Sequence, residues 1–508
     1  MGSLLTLYLV FLGSFLTHAT AERCDLRTSL LDRSNAWNVN TTIYFPTDEP
    51  SFFEVTERWN PYNAPTFSAA ITPATEDDVV KAVRLARRCN FPFLATGGRH
   101  GYGSTMKRLQ GGLEISLRQL NSVSINKEAA TVTVGGGTRV NELLDPVSDA
   151  GFEMPLGGCS CPGIVGITLG AGVNHWQGIH GLVLDALRSV RIVTADGSLV
   201  EASETQNPDL FWGLRGAGSN FGIVTFATYH LYEQTNNDEI LIVDVIFPAT
   251  ANEEYHTALG SIMAEQPADM SLFSNMIWDP INNSPIFVGD FIYFGSREKG
   301  LELLAPILEL GPKETRVNVV SWRNFYDTVL LETNSLNCQD GIVRTPYNAL
   351  TKNISVPTMV RGYDMMIEFL ESHPYARASS MTFERHPPIL ARPMSFEQSS
   401  NIGPDDSTAY AWRETQGQLV MFMSFPLGDS FAAAQAHEIG RTIRNEFSSV
   451  SGFGDGSDLA VYINAAQGDE PLESVYGAHN LPRLVALKQT WDPDNVFGYH
   501  FGLPTQYP

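Results

Sequence analysis

The sequence predicts an α+β protein made of two or more structural units. Its 508 residues exceed the roughly 100–200 residues of a typical single domain. Up to residue 240, short strand patterns, helix patterns and glycine loops alternate, whereas longer apolar strand patterns prevail over residues 241–455. We therefore expect a first unit over residues 22–240, a second unit over 241–455, and a C-terminal segment over 456–508.

The composition is that of a globular chain with a strong negative charge. Hydrophobic residues make up 43% of the sequence, and 56 Asp and Glu against 33 Lys and Arg give a net charge of −23. Such a chain repels nucleic acids and anionic membrane surfaces, so we expect neither as a partner. The cysteines lack the second pair that a zinc ribbon needs, and we expect no bound metal.

The N-terminus has the features of a signal peptide. The first 21 residues carry no charged side chain, Leu4 to Leu16 form an apolar run, and Ala19-Thr20-Ala21 supplies small residues where a signal peptidase would cut. A short membrane anchor is the alternative, although about 20 apolar residues are needed to span a bilayer. We predict a signal peptide over residues 1–21 and a secreted, extracellular protein.

Secretion would place the cysteines in a compartment that favours disulfides. The chain has five cysteines, an odd number that leaves at least one without a disulfide partner: Cys24, Cys89, Cys159, Cys161 and Cys338. Cys159 and Cys161 are two residues apart in the chain, too close for an easy bridge to each other. Glycosylation sequons at Asn40, Asn282 and Asn353 agree with a secreted surface.

The helix that precedes the first glycine loop is predicted from its start signal. Thr75 is a capping hydroxyl with an acidic residue three positions later. Val79, Val83 and Ala86 then repeat at helical spacing. This pattern predicts a helix that begins at Thr75 and ends near Cys89.

Strand patterns follow, each close to a glycine-rich turn. Apolar or alternating residues predict strands over Phe91–Ala95, Thr131–Val134, Ser189–Thr194 and Ser198–Glu201. The last two flank Asp196-Gly197, a pair typical of a hairpin turn. Residues from Thr138 to about Ser148 predict a helix.

Glycine is concentrated in three clusters, at residues 97–103, 163–172 and 216–222. Where side chains are absent, backbone N–H groups can approach an anion such as a phosphate. The last cluster has one residue too many for the dinucleotide fingerprint and leads into a strand rather than a helix. The sequence also lacks a phosphate-binding lysine loop and a serine nucleophile elbow. Tight turns are the alternative for each cluster, but three clusters within 126 residues indicate a long anionic ligand.

His100 is the most informative single residue. It lies inside the first glycine cluster, next to Arg99, where a side chain would face a bound ligand. A lone loop histidine is usually exposed or a cap, and that is the alternative. A neutral imidazole in this place, however, is a nucleophile.

Four segments, taken together, resemble one protein family. Thr96-Gly-Gly-Arg-His-Gly-Tyr102 resembles the covalent-flavin loop of FAD-linked oxidases of the berberine-bridge-enzyme-like type, in the vanillyl-alcohol-oxidase or PCMH-type flavoprotein superfamily. Residues 157–172 and 207–224 are similar to the second and third glycine segments of that family, and residues 475–497 resemble its C-terminal return segment. Because the matches are ordered as in the family, the chain is identified as a member, of the secreted fungal type.

The resemblance implies a fold and a cofactor. The fold is a two-subdomain FAD-binding domain of the PCMH type, built from both chain ends, with an inserted substrate domain that contains an antiparallel sheet. The FAD-binding module would cover residues 67–235. The implied cofactor-binding residues are Thr96, Gly97, Gly98, Arg99, His100, Gly101, Cys159, Gly163, Gly166, Gly170, Gly222, Ile223 and Asn495.

The resemblance also implies covalent bonds. His100 occupies the position of the histidine that bonds to the electrophilic 8α carbon of the flavin. Some members add a bond from a cysteine to the flavin 6 carbon, and counting back from Gly170 puts Cys159 at that position, with Cys161 as the fallback. Plain buried thiols are the alternative for both. Cys24 and Cys89 resemble the N-terminal disulfide of the family.

Two departures from the family affect the expected chemistry. Pro162 stands where a Val or Leu is associated with dioxygen access, so oxidase and dehydrogenase behaviour both stay open. Ala465 stands where some members carry a catalytic tyrosine, so the base must lie elsewhere. We name Tyr102 as one candidate base, with a packed loop aromatic as its alternative. The other is Tyr410, which matches, with Arg413, a strand that faces the flavin in relatives.

The sequence also offers Asp405-Asp406 as a carboxylate dyad, although a cap on an exposed turn is the better interpretation. The implied function is a secreted FAD-dependent oxidoreductase. A small-molecule alcohol, sugar or phenol gives a hydride to the flavin while a base removes a proton, and dioxygen accepts the electrons to give hydrogen peroxide. The alternatives are a dehydrogenase or oxidative cyclase of secondary metabolism, and a non-catalytic binding protein with a vestigial flavin site, which Ala465 favours.

Overall fold

The computed structural model describes residues 24–387, 407–454 and 458–506. The predicted signal peptide, residues 1–21, and the pair Asp405-Asp406 lie outside the described residues. Within the described ranges, helices and strands are both abundant, which confirms the α+β class.

Two sheets lie in the N-terminal part of the chain. The first is a four-stranded sheet in the order β1-β2-β4-β3, formed by β1 Thr42–Tyr44, β2 Phe67–Thr72, β3 Phe93–Thr96 and β4 Gly112–Ser116. Its β2, β4 and β3 strands are parallel. The second is an antiparallel sheet in the order β5-β6-β10-β8-β9, formed by β5 Val123–Asn126, β6 Thr131–Gly135, β8 Leu187–Val193, β9 Leu199–Ser203 and β10 Ile223–His230. A short pair joins β7 Phe152–Glu153 to β11 Tyr232–Glu233.

A larger antiparallel sheet occupies the middle of the chain. Its seven strands follow the order β15-β12-β14-β13-β17-β18-β16. They are β12 Ile240–Pro248, β13 Met270–Asp279, β14 Ser284–Tyr293, β15 Glu314–Val320, β16 Thr345–Thr351, β17 Ser380–Arg385 and β18 Gly417–Met423. The antiparallel sheet expected for the substrate domain is therefore present, whereas the boundaries 22–240, 241–455 and 456–508 stay predictions.

Helices pack on these sheets and connect them. The N-terminal helices are α1 Leu26–Leu31, α2 Ser51–Thr56, α3 Glu76–Arg88, α4 Asn141–Asp149, α5 Ile164–Leu169, α6 Gln177–His180, α7 Val183–Ala186 and α8 Pro208–Ala217. The middle of the chain adds α9 Asn252–Ala264, α10 Arg297–Leu303, α11 Ala305–Leu308, α12 Phe325–Glu332, α13 Asn334–Asn337, α14 Val356–Ser372 and α15 Ser430–Ser451. The C-terminal segment contains α16 Leu472–Tyr476 and α17 Leu481–Trp491. None of the helices in the described ranges is both long and apolar enough to cross a bilayer.

Helix α3 shows how local sequence sets the element that leads into the site. The Thr75 hydroxyl accepts a hydrogen bond from the backbone N–H of Asp78, as the start signal predicts. Val79, Val83 and Ala86 are fully buried along one face. Phe91 was expected in the following strand, but its N–H instead donates to the Ala86 carbonyl and closes the helix end. Strand β3 therefore begins two residues later than predicted.

The other local predictions are confirmed with small shifts. Strands β8 and β9 pair across Asp196-Gly197, and Gly197 adopts a positive φ of 77°. The helix predicted from Thr138 begins at Asn141, because the backbone at Arg139 pairs with Gly163 instead. Two disulfides are formed, Cys24–Cys89 and Cys161–Cys338. The first confirms the pairing that the resemblance implied.

The C-terminal segment returns to the N-terminal unit through buried polar contacts. Lys488 on α17 is fully buried, and its Nζ lies 2.6 Å from the Asp492 carboxylate. The same Nζ donates to the Asn220 carbonyl at 2.9 Å and the Phe497 carbonyl at 3.2 Å. Tyr476 donates to the Phe501 carbonyl at 2.7 Å. These bonds hold residues from both ends of the chain in one unit.

We expect Lys488→Met to destabilise the protein by about 3–5 kcal/mol, because it leaves the buried Asp492 carboxylate without its cation. Urea unfolding of the purified variant measures the change. The matched control is Lys299→Met, which breaks an exposed pair with Glu302 and should cost about 1 kcal/mol or less. Equal effects of the two substitutions would contradict this account.

Candidate cofactor and substrate site

A cavity of about 830 Å³ lies between the glycine clusters and the seven-stranded sheet. This volume is within the roughly 300–1,000 Å³ range of ligand pockets. Of the predicted site residues, those that line the cavity are Thr96, Gly97, Gly98, Arg99, His100, Gly101, Tyr102, Cys159, Gly163, Gly166, Gly170, Gly222 and Ile223. Asn495 and Tyr410 do not line it.

The first two glycine clusters meet backbone to backbone. A Cβ atom at Gly98 would lie 2.2 Å from the backbone nitrogen of Gly163, and one at Gly97 would lie 2.8 Å from the Gly136 carbonyl oxygen. Real Cβ atoms do not approach backbone so closely, so only glycine permits this contact. The cavity wall is therefore made of main chain at this point.

Backbone N–H groups of residues 97–102 are available to an anion. Within the described residues, none of them donates a hydrogen bond to another protein group. Arg58 is buried beside them and donates to the Gly101 carbonyl at 2.9 Å. Consecutive free N–H groups beside a guanidinium suit a phosphate or diphosphate. The residues present thus fit FAD, whose diphosphate needs such donors.

Arg99 fixes the turn that presents His100. It adopts a left-handed φ of 60°, which favours glycine and is uncommon for arginine. Its Nη1 donates to three carbonyl oxygens at the end of α2: Glu54 at 2.6 Å, Val55 at 2.9 Å and Glu57 at 2.9 Å. The guanidinium is therefore anchored to the end of α2, while the next side chain, His100, lines the cavity.

His100 is held as a neutral ring. Its imidazole stacks on Trp59 with the ring centroids 5.1 Å apart, and the Trp59 Nε1 donates to the Asn337 carbonyl at 2.7 Å. Burial lowers the pKa of His100 to about 3, and the positive charges of Arg139, Arg58 and further arginines lower it as well. At neutral pH the ring therefore keeps a free lone pair, as a nucleophile requires.

Cys159 is the free cysteine of this site. Cys161 is bonded to Cys338, and the Sγ atoms of Cys159 and Cys161 lie 3.9 Å apart. Cys161, the second candidate for a bond to the flavin, is thus part of a disulfide, whereas Cys159 lines the cavity. Burial raises the pKa of the Cys159 thiol to about 11, so it is protonated at neutral pH.

The two predicted bases differ in position. The Tyr102 ring lines the cavity and lies 5.4 Å from the ring of Trp59 and 5.6 Å from that of Phe422. Burial raises the pKa of Tyr102 well above its usual range. This phenol is therefore neutral and a poor proton acceptor in this environment.

The strand predicted for Tyr410 is wrong. Residues 407–416 form an irregular segment that packs on α8, where the Ala409 N–H donates to the Trp212 carbonyl at 3.2 Å. The sheet strand begins only at Gly417. Tyr410 lines a separate, small pocket, and Arg413 donates to both oxygens of Asp185, at 2.7 and 3.2 Å. This pair ties the segment to α7 rather than facing it toward the large cavity.

Asn495, which the sequence analysis expected at the cofactor, lies outside the cavity. Its side chain is exposed, and it adopts a left-handed φ of 53° in the turn after α17. The neighbouring Phe497, Tyr499 and His500 line the cavity instead. The C-terminal segment therefore reaches the cavity through aromatic rings rather than through the Asn495 amide.

Several polar cavity residues escaped the sequence analysis, among them Tyr462, His175 and Glu384. The Tyr462 hydroxyl accepts hydrogen bonds from the N–H groups of Gly172 and Val173 and from the Asn464 amide. His175 is buried, and neither of its ring nitrogens has a partner in the described residues. Glu384 on β17 accepts a hydrogen bond from the Gln418 amide at 2.5 Å.

The chain matches two protein families. Residues 67–203 match the family described as FAD binding domain, and residues 461–504 match the family described as berberine and berberine like. An FAD-linked oxidoreductase of Aspergillus ruber is 41% identical over 500 residues, which covers 97% of each chain. An FAD-linked oxidoreductase of Pyricularia oryzae is 39% identical, covering 90% of this chain and 88% of the relative.

Solved structures show the same fold. A glucooligosaccharide oxidase of Acremonium strictum, described as revealing a novel flavinylation, has a TM-score of 0.77 at 20% identity and covers 92% of this chain and 97% of its own. A xylooligosaccharide oxidase of Myceliophthora thermophila, solved with xylobiose, has a TM-score of 0.75 at 22% identity and covers 92% of this chain and 98% of its own. At these identities the similarity establishes the fold alone.

We expect Gly98→Ala to lower FAD incorporation about tenfold or more, since overpacking of this kind costs about 1–3 kcal/mol and the new Cβ would meet the Gly163 backbone. Flavin absorbance per mole of purified protein measures the effect. Gly311→Ala is the matched control: its φ of 71° makes an added Cβ strained, this Cβ meets nothing within 4 Å, and Gly311 does not line the cavity. If both variants carried the same amount of flavin, the backbone contact would not matter for the cofactor site.

Proposed function

The chain belongs to the FAD-linked oxidoreductases of the berberine-bridge-enzyme-like type, and on that premise we propose that it is a secreted oxidase of small aromatic alcohols. Bound flavin supplies the two-electron acceptor for a hydride. The protein binds that cofactor, holds the substrate against it, excludes water from the site and accepts a proton from the substrate. We further propose dioxygen as the final acceptor, with hydrogen peroxide as the second product.

This proposal depends first on a covalent bond between His100 and the flavin. The neutral imidazole lies in the cavity wall, in the same loop as the free N–H groups of residues 97–102. Stacking on Trp59 fixes the plane of the ring. We propose that His100 bonds to the flavin and that Cys159, the free thiol just before the second glycine cluster, forms a second bond.

The substrate class is inferred from the wall that the seven-stranded sheet contributes. Its apolar side chains are Phe273, Ile277, Trp278, Val420 and Phe422. A flat apolar ring can pack on these side chains, while the polar side chains of the same wall, Asn275, Thr382, Glu384 and Gln418, can bind the hydroxyl group of an alcohol. Among alcohols, sugars and phenolic compounds, the wall therefore favours an aromatic alcohol or phenolic substrate.

Secretion is supported by several independent features. The asparagines of all three sequons, Asn40, Asn282 and Asn353, are exposed. Both disulfides suit an oxidising compartment. The uncharged residues 1–21 have the pattern of a signal peptide.

We expect wild-type protein to keep its flavin after acid precipitation, and His100→Ala to lose the histidyl bond. Peptide mapping by mass spectrometry counts the bonds: two in the wild type, one in His100→Ala and in Cys159→Ser, none in the double variant. Because the pKa of His100 is about 3, the nucleophilic neutral form prevails above that pH. The yield of the histidyl bond should therefore be constant between about pH 5 and 8. Flavin that is released from the wild type by acid would refute the covalent proposal.

Substrate and acceptor are tested together with a panel of aromatic alcohols, oligosaccharides and phenols. We expect bleaching of the flavin absorbance by aromatic alcohols under anaerobic conditions, and hydrogen peroxide in air. Bleaching without peroxide would identify a dehydrogenase or a cyclase. Flavin that none of the compounds reduces would favour a non-catalytic binding protein and would contradict the proposed activity.

A further inference from the structure

The Tyr462 hydroxyl sits at the meeting point of three N–H donors. It accepts hydrogen bonds from the backbone N–H of Gly172 at 3.2 Å, from that of Val173 at 3.3 Å and from the Asn464 side-chain amide at 2.8 Å. The side chain is buried, with 8% of its surface exposed, and it lines the large cavity. Ala465, the position of the missing family tyrosine, lies three residues further on.

Three donors on one oxygen stabilise a phenolate more than they stabilise a phenol. A neutral hydroxyl offers two lone pairs and needs an acceptor for its own hydrogen. Within the described residues, no group is placed to accept that hydrogen. A phenolate has no hydrogen to place and accepts several N–H groups, which lowers the free energy of the charged form.

The fold builds this arrangement from two distant segments. The Asn464 amide donates both to the Tyr462 hydroxyl and to the Ile167 carbonyl, at 2.9 Å, so it is fixed against the end of α5. Close approach requires glycine at position 170, since a Cβ there would lie 2.1 Å from the Asn464 Oδ1. The Tyr462 N–H donates to the Asn348 side chain at 2.7 Å, which anchors the backbone from the other side.

The charged and titratable groups that face Tyr462 come from three other elements. They are Glu384 on β17, Tyr102 in the first glycine loop and Tyr410 in the irregular segment. Burial raises the pKa of Tyr462 to about 12 and the charge of Glu384 raises it too, whereas the three N–H donors lower it. Burial raises the pKa values of Tyr102 and Tyr410 further. Of these three phenols, Tyr462 is the one whose pKa is raised least, because its N–H donors partly offset the effect of burial.

Resting on the proposed function, we propose that Tyr462 is the base that accepts the hydroxyl proton of the substrate, and that Asn464 is its positioning residue. The substrate O–H bond breaks and its proton bonds to the phenolate oxygen of Tyr462. The electron pair of that bond forms the C=O bond while the neighbouring C–H hydrogen leaves with its two electrons to the flavin. Dioxygen takes the two electrons, that hydrogen and the proton from Tyr462 as hydrogen peroxide, which restores the phenolate.

The main test is the reductive half-reaction of the flavin-loaded enzyme, followed anaerobically by flavin absorbance at several pH values. Because the phenolate is the active form and the pKa of Tyr462 is about 12, the wild-type rate should rise with pH over the whole range in which the enzyme stays folded. Tyr462→Phe should be slower by about 10²–10⁴-fold, the typical contribution of a general base, and its rate should not depend on pH over this range. Tyr255→Phe is the matched control: Tyr255 is a fully buried tyrosine on α9 that does not line the cavity. It should leave the rate and its pH profile unchanged.

Asn464→Leu separates a positioning role from a merely structural one. Removing one donor makes the phenolate less favourable, so the rising part of the pH profile should move by about one unit or more to higher pH, as expected for loss of a hydrogen bond to a charged group. Absorption spectra provide a readout that does not depend on turnover. The tyrosinate band should appear at lower pH in the wild type than in Asn464→Leu, and that step should be missing in Tyr462→Phe.

The outcomes are distinguishable from a failure of the proposed function. If no alcohol reduces the wild-type flavin, the proposed function fails, but the tyrosinate titration still tests Tyr462. A Tyr462→Phe enzyme with wild-type rate and pH profile would overturn the inference. Should Tyr462→Phe not fold, an unshifted profile and an unshifted titration in Asn464→Leu would overturn it equally.

Discussion

Gly98 and Gly163 meet main chain against main chain, and the geometry of the site follows from that contact. It leaves no room for a side chain, as the 2.2 Å approach of a Cβ at Gly98 shows. Because the two segments are this close, the free N–H groups of residues 97–102 and the thiol of Cys159 face one cavity. The same turn also sets the position of His100. Arg99 holds this turn in place by donating hydrogen bonds to three carbonyl oxygens at the end of α2.

Burial then decides the charge state of the groups in the cavity. It lowers the pKa of His100 and raises those of Cys159 and Tyr102, so these groups are neutral near pH 7. For a nucleophilic imidazole this is an advantage, because the neutral form reacts. For a base it is an obstacle, which is why donors aimed at the Tyr462 oxygen matter. Burial thus favours His100 as a nucleophile, but it opposes the action of a tyrosine as a base.

The cavity also depends on contacts between parts of the chain that are far apart in sequence. The Cys161–Cys338 disulfide joins the second glycine cluster to the segment after α13, with a sequence separation of 177 residues. The carbonyl of Asn337, the last residue of α13, accepts the hydrogen bond of Trp59, the ring on which His100 stacks. The buried Lys488 links α17 to the N-terminal unit. The middle unit and both chain ends therefore shape one site.

The sequence by itself determined the α+β class, the helix after Thr75, the hairpin at Asp196-Gly197 and the glycine clusters that line the cavity. These features depend on local rules, such as caps, alternation and the absence of a Cβ, which a single chain displays directly. The order of the four motifs also identified the family and, with it, FAD as the cofactor. Local patterns were enough because each of these features is formed by neighbouring residues.

Only the tertiary structure decided the rest. Tyr410 leaves the large cavity because its segment bonds to α8, and Asn495 turns to the surface. Tyr462 accepts hydrogen bonds from Gly172 and Val173, about 290 positions away, and Cys161 bonds to Cys338 across 177 positions. Such contacts, and the burial that sets the pKa of His100, depend on residues that are distant in sequence. No local pattern encodes them, because they exist only once the chain has folded.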